Sequence, residues 1–130
     1  MPSPLPSLKK KGDFKRVFGE GRYAAGSLLV VYALPNGLDT TRLGLSVSKK
    51  VGNAVVRNRI KRLVRENCRL ASFKIAVGYD LVVVARVSGG EMVRMCSGGA
   101  YRMVGDALEK LLGRLRLLDG ERDSLMGHVV

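Results

Sequence analysis

Tryptophan is absent from the 130-residue sequence, aromatic residues make up only 5% of it, and there are two cysteines. Cys68 and Cys96 form no CxxC pair, so neither a disulfide framework nor a cysteine-rich metal site is indicated. Two reduced thiols in a cytoplasmic protein are the expected state. No apolar run reaches the ~18 residues of a membrane-spanning helix. Residues 1–11 also lack the apolar centre of a secretory signal.

Acidic residues are scarce as well: 11 Asp and Glu stand against 23 Lys and Arg, for a formal net charge of +12. A charge excess of this size opposes compaction, because like charges repel in the folded state. It therefore indicates a polyanionic partner, and nucleic acid is favoured over an anionic membrane surface. Hydrophobic residues make up 46% of the chain, enough for the core of one folded domain.

No constellation for protein-borne catalysis is evident. The single histidine, His128, lies close to the last residue, and Asp13, Asp80 and Asp106 are far apart in the sequence. Metal-assisted hydrolysis needs carboxylates grouped around the ion, and no pair or triplet has that spacing. The sequence predicts no catalytic residue, no bound metal and no protein-bound cofactor.

Hydrophobic periodicity predicts a single α+β domain over residues 9–118, preceded by a flexible Pro- and Ser-rich arm at 1–8 and followed by a disordered polar tail at 119–130. Strands 27–34 and 42–48 are expected to form a hairpin, and the continuous apolar strand 79–86 to lie inside the sheet. The predicted elements are helix 13–19, strand 27–34, strand 42–48, a helix from the N-cap Asn53 to about residue 71, strand 79–86, glycine-rich loop 88–99 and helix 101–118.

The middle helix carries the most informative pattern, in the segment KKVGNAVVRNRIKRLVRENCR at 49–69. At 100° per residue its apolar positions gather on one side, while Arg57, Lys61 and Arg65 stack at i, i+4 and i+8 on the other. Glu66 is the only acid in the helix. Like charges at i+4 cost roughly 0.2–0.5 kcal/mol per pair in an isolated helix, so a merely solvated face would interleave glutamates. A one-signed, arginine-rich face indicates nucleic-acid contact.

The segment LGLSVSKKVGNAVVRNRIKRLVRE at 43–66 closely resembles the signature of the bacterial ribonuclease P protein. The resemblance rests on a strand, a Ser-Lys-Lys-x-Gly-Asn turn and an Arg-Asn-Arg helix in fixed order, and it extends more weakly over residues 8–117. The loop 89–99 departs from the family pattern, and the tail lacks the basic extension of some members.

The resemblance implies an α+β fold: a two-layer sandwich of αβββαβα order, with an extra short strand at 22–25 and a mixed sheet with a left-handed βαβ crossover. It also implies a protein subunit, monomeric and in a one-to-one complex with the catalytic RNA of ribonuclease P. Such a subunit would bind that RNA and the 5′ leader of precursor tRNA and promote 5′ maturation. Catalytic groups and Mg²⁺ would belong mainly to the RNA.

The resemblance further implies two binding surfaces. In the leader cleft, Phe14, Phe18 and Tyr32 would contact the single strand, with Lys15 and Arg16 at the rim; an i, i+4 apolar pair such as Phe14 and Phe18 is, however, more often core. The surface for the RNA subunit would comprise Lys49, Lys50, Asn53, Arg57, Asn58, Arg59, Lys61, Arg62, Arg65 and Arg69.

Three other functions remain compatible with parts of the sequence. A ribosomal or general RNA-binding protein would present a similar basic face. A stand-alone metal-dependent nuclease would need a carboxylate cluster, which the sequence does not indicate. A membrane-surface protein would need an unburied apolar face opposite the basic one.

Overall fold

The computed structural model describes residues 3–96 and 98–118, which form an α+β domain. The predicted fold class is confirmed, and the short strand implied at 22–25 is present as β1. The elements are α1 Lys11–Glu20, β1 Arg22–Ala25, β2 Leu29–Pro35, β3 Arg42–Ser46, α2 Ala54–Leu70, β4 Tyr79–Ala85, α3 Val87–Met95 and α4 Ala100–Arg114, with 3-10 turns at Lys49–Val51 and Ser72–Lys74.

The four strands form one mixed sheet in the order β1-β2-β4-β3. The β1–β2 and β2–β4 pairs are antiparallel, and β3 pairs with β4 in parallel. The expected hairpin of β2 and β3 is therefore wrong: β4 lies between them, because its apolar run is buried best with a strand on each edge. Helix α2 joins the parallel neighbours β3 and β4, and the handedness of this crossover stays a prediction.

Side chains alternate between the two faces of the sheet. Leu29 and Val31 of β2, with Leu81 and Val83 of β4, lie in the main core beneath α2 and α4. Helix α1 covers part of the opposite face, where Val17 is fully buried in a second, smaller cluster. The rest of that face is left open beside α1.

The segment expected to be a glycine-rich loop contains helix α3 instead. Its glycines allow close backbone contact: a Cβ at Gly90 would stand 2.1 Å from the carbonyl oxygen of Val51, and one at Gly89 would stand 2.6 Å from that of Leu28. Glycine usually indicates a loop, but here packing against neighbouring backbone outweighs its low helix propensity.

Helix α4 begins one residue earlier than expected and ends at Arg114 rather than 118. Its end is a Schellman-type motif: Arg116 adopts a left-handed φ of 59°, its N–H donates to Gly113 O (3.0 Å), and the Leu117 N–H donates to Leu112 O (3.0 Å). The motif ends the helix although the apolar pattern continues.

The last residues of the expected flexible arm lie beside β3. The Leu8 N–H donates to Leu43 O (2.9 Å), the Leu43 N–H donates to Pro6 O (2.8 Å), and Leu8 is buried. These contacts correct the expectation of a loose arm over residues 6–8. The division into arm, domain and tail is otherwise a prediction, and the tail at 119–130 lies outside the described residues. Within the described ranges, no helix is long and apolar enough to cross a membrane.

Candidate nucleic-acid interface

Helix α2 is oriented by its cap and by its apolar side. The Asn53 side chain accepts a hydrogen bond from the Val56 N–H (3.0 Å), which confirms Asn53 as the N-cap. Val56, Ile60 and Val64 are buried in the main core. The opposite side of the helix therefore faces outward.

Five of the eight predicted RNA-contacting cations have neither an ion-pair partner nor a side-chain hydrogen bond among the described residues. Lys49 and Lys50 are exposed on the 3-10 turn before the helix, and Arg62 and Arg65 are exposed on α2. Lys61 is half-buried, and Asn58 is exposed beside it. Their positive charge is available to a partner.

The other three arginines already have partners in the protein. Arg57 Nε donates to Gly52 O (3.2 Å), and Arg59 Nη1 donates to Val93 O of α3 (3.1 Å). Arg69 Nε donates to Glu66 Oε2 (3.1 Å); this hydrogen bond raises the pKa of Arg69 and lowers the pKa of Glu66. Arg59 and Arg69 therefore present less free charge than the helical pattern indicates.

A cluster of aromatic rings lies where α1 meets the open face of the sheet. Phe18 contacts Tyr32 edge to face, with ring centroids 4.9 Å apart, and Phe14 lies 6.5 Å from Phe18. Tyr23 of β1, which sequence reasoning missed, lies 5.4 Å from Tyr32 and is 63% exposed. Tyr23 joins the cluster because β1 pairs with β2 and places it directly opposite Tyr32, and this pairing could not be predicted from the sequence pattern.

These rings differ in how much of them is available. A Cβ at Gly44 would stand 2.7 Å from the Phe14 ring, so Phe14 packs down onto β3 where there is no side chain. Phe18 is 41% exposed, and Tyr32 is half-buried between it and Tyr23. We call Phe18, Tyr32 and Tyr23 the aromatic groove, and the half-buried Phe14 forms its floor.

The two cations expected at the rim of this groove differ. Lys15 is exposed on α1. Arg16, whose side chain is 40% exposed, also donates through Nη2 to Oδ2 of the buried Asp80 (2.7 Å), which accepts further hydrogen bonds from Arg42 and Asn36. Burial alone would raise the pKa of Asp80, but the hydrogen bonds from Arg42 and Asn36 and the charges of Arg42 and Arg16 outweigh it and lower that pKa. Sequence reasoning did not find this network.

Metal-ligating side chains do not gather in the described ranges. Across residues 3–96 and 98–118, no three His, Cys, Asp or Glu residues come together as a cation site. Asp80 is surrounded by two guanidinium groups and an amide. This donor set does not fit a metal ion, because the cations already occupy the carboxylate.

A family model described as Ribonuclease P matches residues 4–115. The ribonuclease P protein component of Caldanaerobacter subterraneus subsp. tengcongensis is 41% identical over 119 residues, covering 92% of this chain and 97% of that protein. The ribonuclease P protein component of Clostridium perfringens is 40% identical, covering 91% and 94%.

Solved structures of RNase P proteins have the same fold as this chain. The Staphylococcus aureus RNase P protein superposes with a TM-score of 0.76 at 36% identity, covering 86% of this chain and 96% of that one. The Thermotoga maritima RNase P protein gives a TM-score of 0.75 at 35% identity, covering 83% and 96%.

The mixed sheet, the outward arginine-rich helix and the aromatic groove define a class of small basic α+β proteins that bind RNA. The matches span nearly the whole of this chain and of its relatives. The chain belongs to the bacterial ribonuclease P protein family.

Proposed function

We propose that this chain is the protein subunit of ribonuclease P and that it holds the catalytic RNA against the outer side of α2. The observation that carries the proposal is the set of outward cations without a carboxylate partner: Lys49, Lys50, Lys61, Arg62 and Arg65. Arginine suits the role, because its planar guanidinium can give two hydrogen bonds to one phosphate. Asn53, Arg57, Asn58, Arg59 and Arg69 complete the proposed surface, with Arg59 and Arg69 in a mainly supporting part.

The second surface is the aromatic groove, proposed to receive the 5′ leader of precursor tRNA. A single strand exposes its bases, and stacking on an aromatic ring contributes roughly 1–3 kcal/mol per base without demanding a particular sequence. Phe18 and Tyr32 keep enough exposure to stack, and Tyr23 extends the row along β1. Lys15 would contact leader phosphates from the rim. Phe14 supports the groove from beneath.

Cleavage chemistry is proposed to belong to the RNA and its Mg²⁺. The chain's own residues would bind, orient and neutralise: the α2 cations reduce phosphate repulsion near the RNA core, and the groove holds the leader beside it. One protein per RNA, in the cytoplasm, is the simplest assembly. Because the protein supplies part of the required positive charge, it should lower the Mg²⁺ concentration at which the RNA becomes active.

The test is precursor cleavage by the cognate RNA across a Mg²⁺ titration, without protein, with wild type and with Arg62→Ala. We expect wild type to shift the midpoint to lower Mg²⁺ and Arg62→Ala to shift it less. Lys110→Ala, which removes one exposed cation from α4, is the matched control and should behave as wild type. Identical curves with and without protein contradict the proposal. Cleavage by the protein alone would indicate a nuclease, and equal effects on unrelated RNAs a general RNA-binding protein.

A further inference from the structure

Asp80 joins three separate parts of the fold. Its side chain is fully buried and accepts hydrogen bonds from Arg16 of α1 (2.7 Å) and from both Nε and Nη2 of Arg42 of β3 (2.8 and 2.7 Å). Asn36, which follows β2, donates a fourth (2.9 Å). Hydrogen bonds between ionised groups are stronger than neutral ones, and a buried carboxylate is stable only when it is paired and hydrogen-bonded. One side chain therefore ties α1 to the sheet.

This tie lies next to the aromatic groove. Asp80 pairs with Leu34 in the sheet, and two residues further along Val82 pairs with Tyr32, so Asp80 and Tyr32 point to the same face. On α1, Arg16 and Phe18 are two residues apart and lie on either side of the fully buried Val17. The position of α1 set by Arg16 therefore determines the separation of Phe18 from Tyr32.

We propose that Asp80 is a positioning residue for leader binding, and that Arg16 acts on the RNA through Asp80 rather than by contacting a phosphate. The inference rests on the proposed leader groove. By holding α1 through Arg16 and β3 through Arg42, Asp80 keeps Phe18 in edge-to-face contact with Tyr32, so that the exposed parts of the two rings form one surface on which bases can stack. A free α1 would leave the rings present but misaligned.

The competing explanation predicts an effect of opposite sign. If Arg16 bound a leader phosphate directly, removal of the Asp80 charge would free its guanidinium and strengthen leader binding. If Asp80 positions the groove, the same change weakens leader binding although the protein becomes more positive. Asp80→Asn separates the two explanations, because it removes the charge and nearly preserves the shape.

Asp13→Asn is the matched control. Asp13 lies on the same helix, 3.6 Å from Arg16 and 3.9 Å from Arg42, and makes no hydrogen bond to either. The Asp13→Asn substitution removes one negative charge beside Arg16 and Arg42 and leaves the hydrogen bonds of Asp80 in place. Leader binding by this variant should stay within about twofold of wild type or become tighter, as expected for a small change in long-range attraction.

The measurement uses the reconstituted holoenzyme and compares its affinity for precursor tRNA with its affinity for mature tRNA. We expect Asp80→Asn to weaken precursor binding by about tenfold, on the order of one lost aromatic stack. Mature tRNA affinity and the single-turnover rate at saturating precursor should not change. Precursor affinity equal to or above that of wild type overturns the positioning role.

Arg16→Ala gives a second test that does not depend on how well Asp80→Asn folds, since Arg42 and Asn36 still satisfy Asp80. Lost positioning should reduce precursor affinity without changing its salt dependence. A direct phosphate contact would instead flatten the slope of log affinity against log salt by about one. Lys15→Ala, at the exposed rim, should show that flattening, and the same flattening in Arg16→Ala refutes the inference.

If the aromatic groove does not bind the leader at all, the binding data will show a different pattern. In that case the wild-type holoenzyme would bind precursor and mature tRNA equally, and no variant could alter a preference that does not exist. A wild-type preference that persists unchanged in both Asp80→Asn and Arg16→Ala refutes the positioning role alone.

Discussion

Arg65→Ala and Arg59→Ala remove the same charge from α2, yet they should affect RNA binding differently. Arg65 is exposed and has no carboxylate partner among the described residues, whereas Arg59 donates to the backbone of Val93. Loss of Arg65 should remove one phosphate contact. Loss of Arg59 should mainly loosen α3, so its effect should appear in stability and only weakly in salt dependence.

The magnitude follows from the number of available cations. Lys49, Lys50, Arg57, Lys61, Arg62 and Arg65 could each neutralise one phosphate. By analogy with duplex DNA, six contacts give a slope of about −5 in log affinity against log salt, or a loss of roughly 2,000-fold between 50 and 200 mM salt. Five contacts give a loss of roughly 500-fold over the same range. Between 50 and 200 mM salt, the affinity of wild type should therefore fall by about fourfold more than that of Arg65→Ala.

The assay is equilibrium binding to the cognate ribonuclease P RNA at four or more salt concentrations and constant Mg²⁺. Lys110→Ala controls for a general loss of charge, because Lys110 is exposed on α4 and not on the α2 surface. A slope for Arg65→Ala equal to that of wild type refutes the reasoning. Equal flattening by Lys110→Ala refutes it too, since the interaction would then not be localised on α2.

Three further predictions concern stability and reactivity. Because the pKa of folded Asp80 is lowered, its stabilising effect is present above the unfolded value of about 3.9 and is lost as pH falls through the folded pKa. In urea unfolding, the free energy of unfolding of Asp80→Asn should therefore depend less on acid pH than that of wild type. The same pH dependence in both proteins contradicts this prediction. Burial raises the pKa of Cys68 to about 12, so a thiol reagent at neutral pH should modify it about a thousandfold more slowly than an ordinary thiol, until denaturant is added. Gly90→Ala should lower the free energy of unfolding by about 1–3 kcal/mol, because the added methyl group would meet Val51. Gly12→Ala, which faces open space on α1, should leave it unchanged or raise it by up to about 1 kcal/mol. Equal urea midpoints for the two variants would contradict this prediction.

Features set by local sequence were predictable. The N-cap Asn53 and the buried stripe of α2 depend on residues within one or two turns, so spacing alone located them. The continuous apolar run of β4 indicated a strand with neighbours on both edges, as observed. The outward direction of the basic face follows directly from the position of the apolar stripe.

Features set by contacts between distant parts of the chain could not be predicted from the sequence. The short connection between β2 and β3 favoured a hairpin, and nothing local revealed that β4 would separate them. The partner of Asp80 on α1 is 64 residues away and the one on β3 is 38 residues away, so no periodicity links them. Helix α3 was hidden because Gly89 and Gly90 indicate a loop until the backbone that they contact is known.

Strand β4, the last of the strands in the part of the chain that the structure describes, is a central strand of the sheet. A nascent chain that stops before Tyr79 lacks the strand that pairs with both β2 and β3, so the sheet that supports α2 cannot be completed. Long-range pairings of this kind form slowly and late. The arginine-rich helix is therefore synthesised well before the scaffold that orients it, and a stably directed basic surface exists only once translation has passed Ala85.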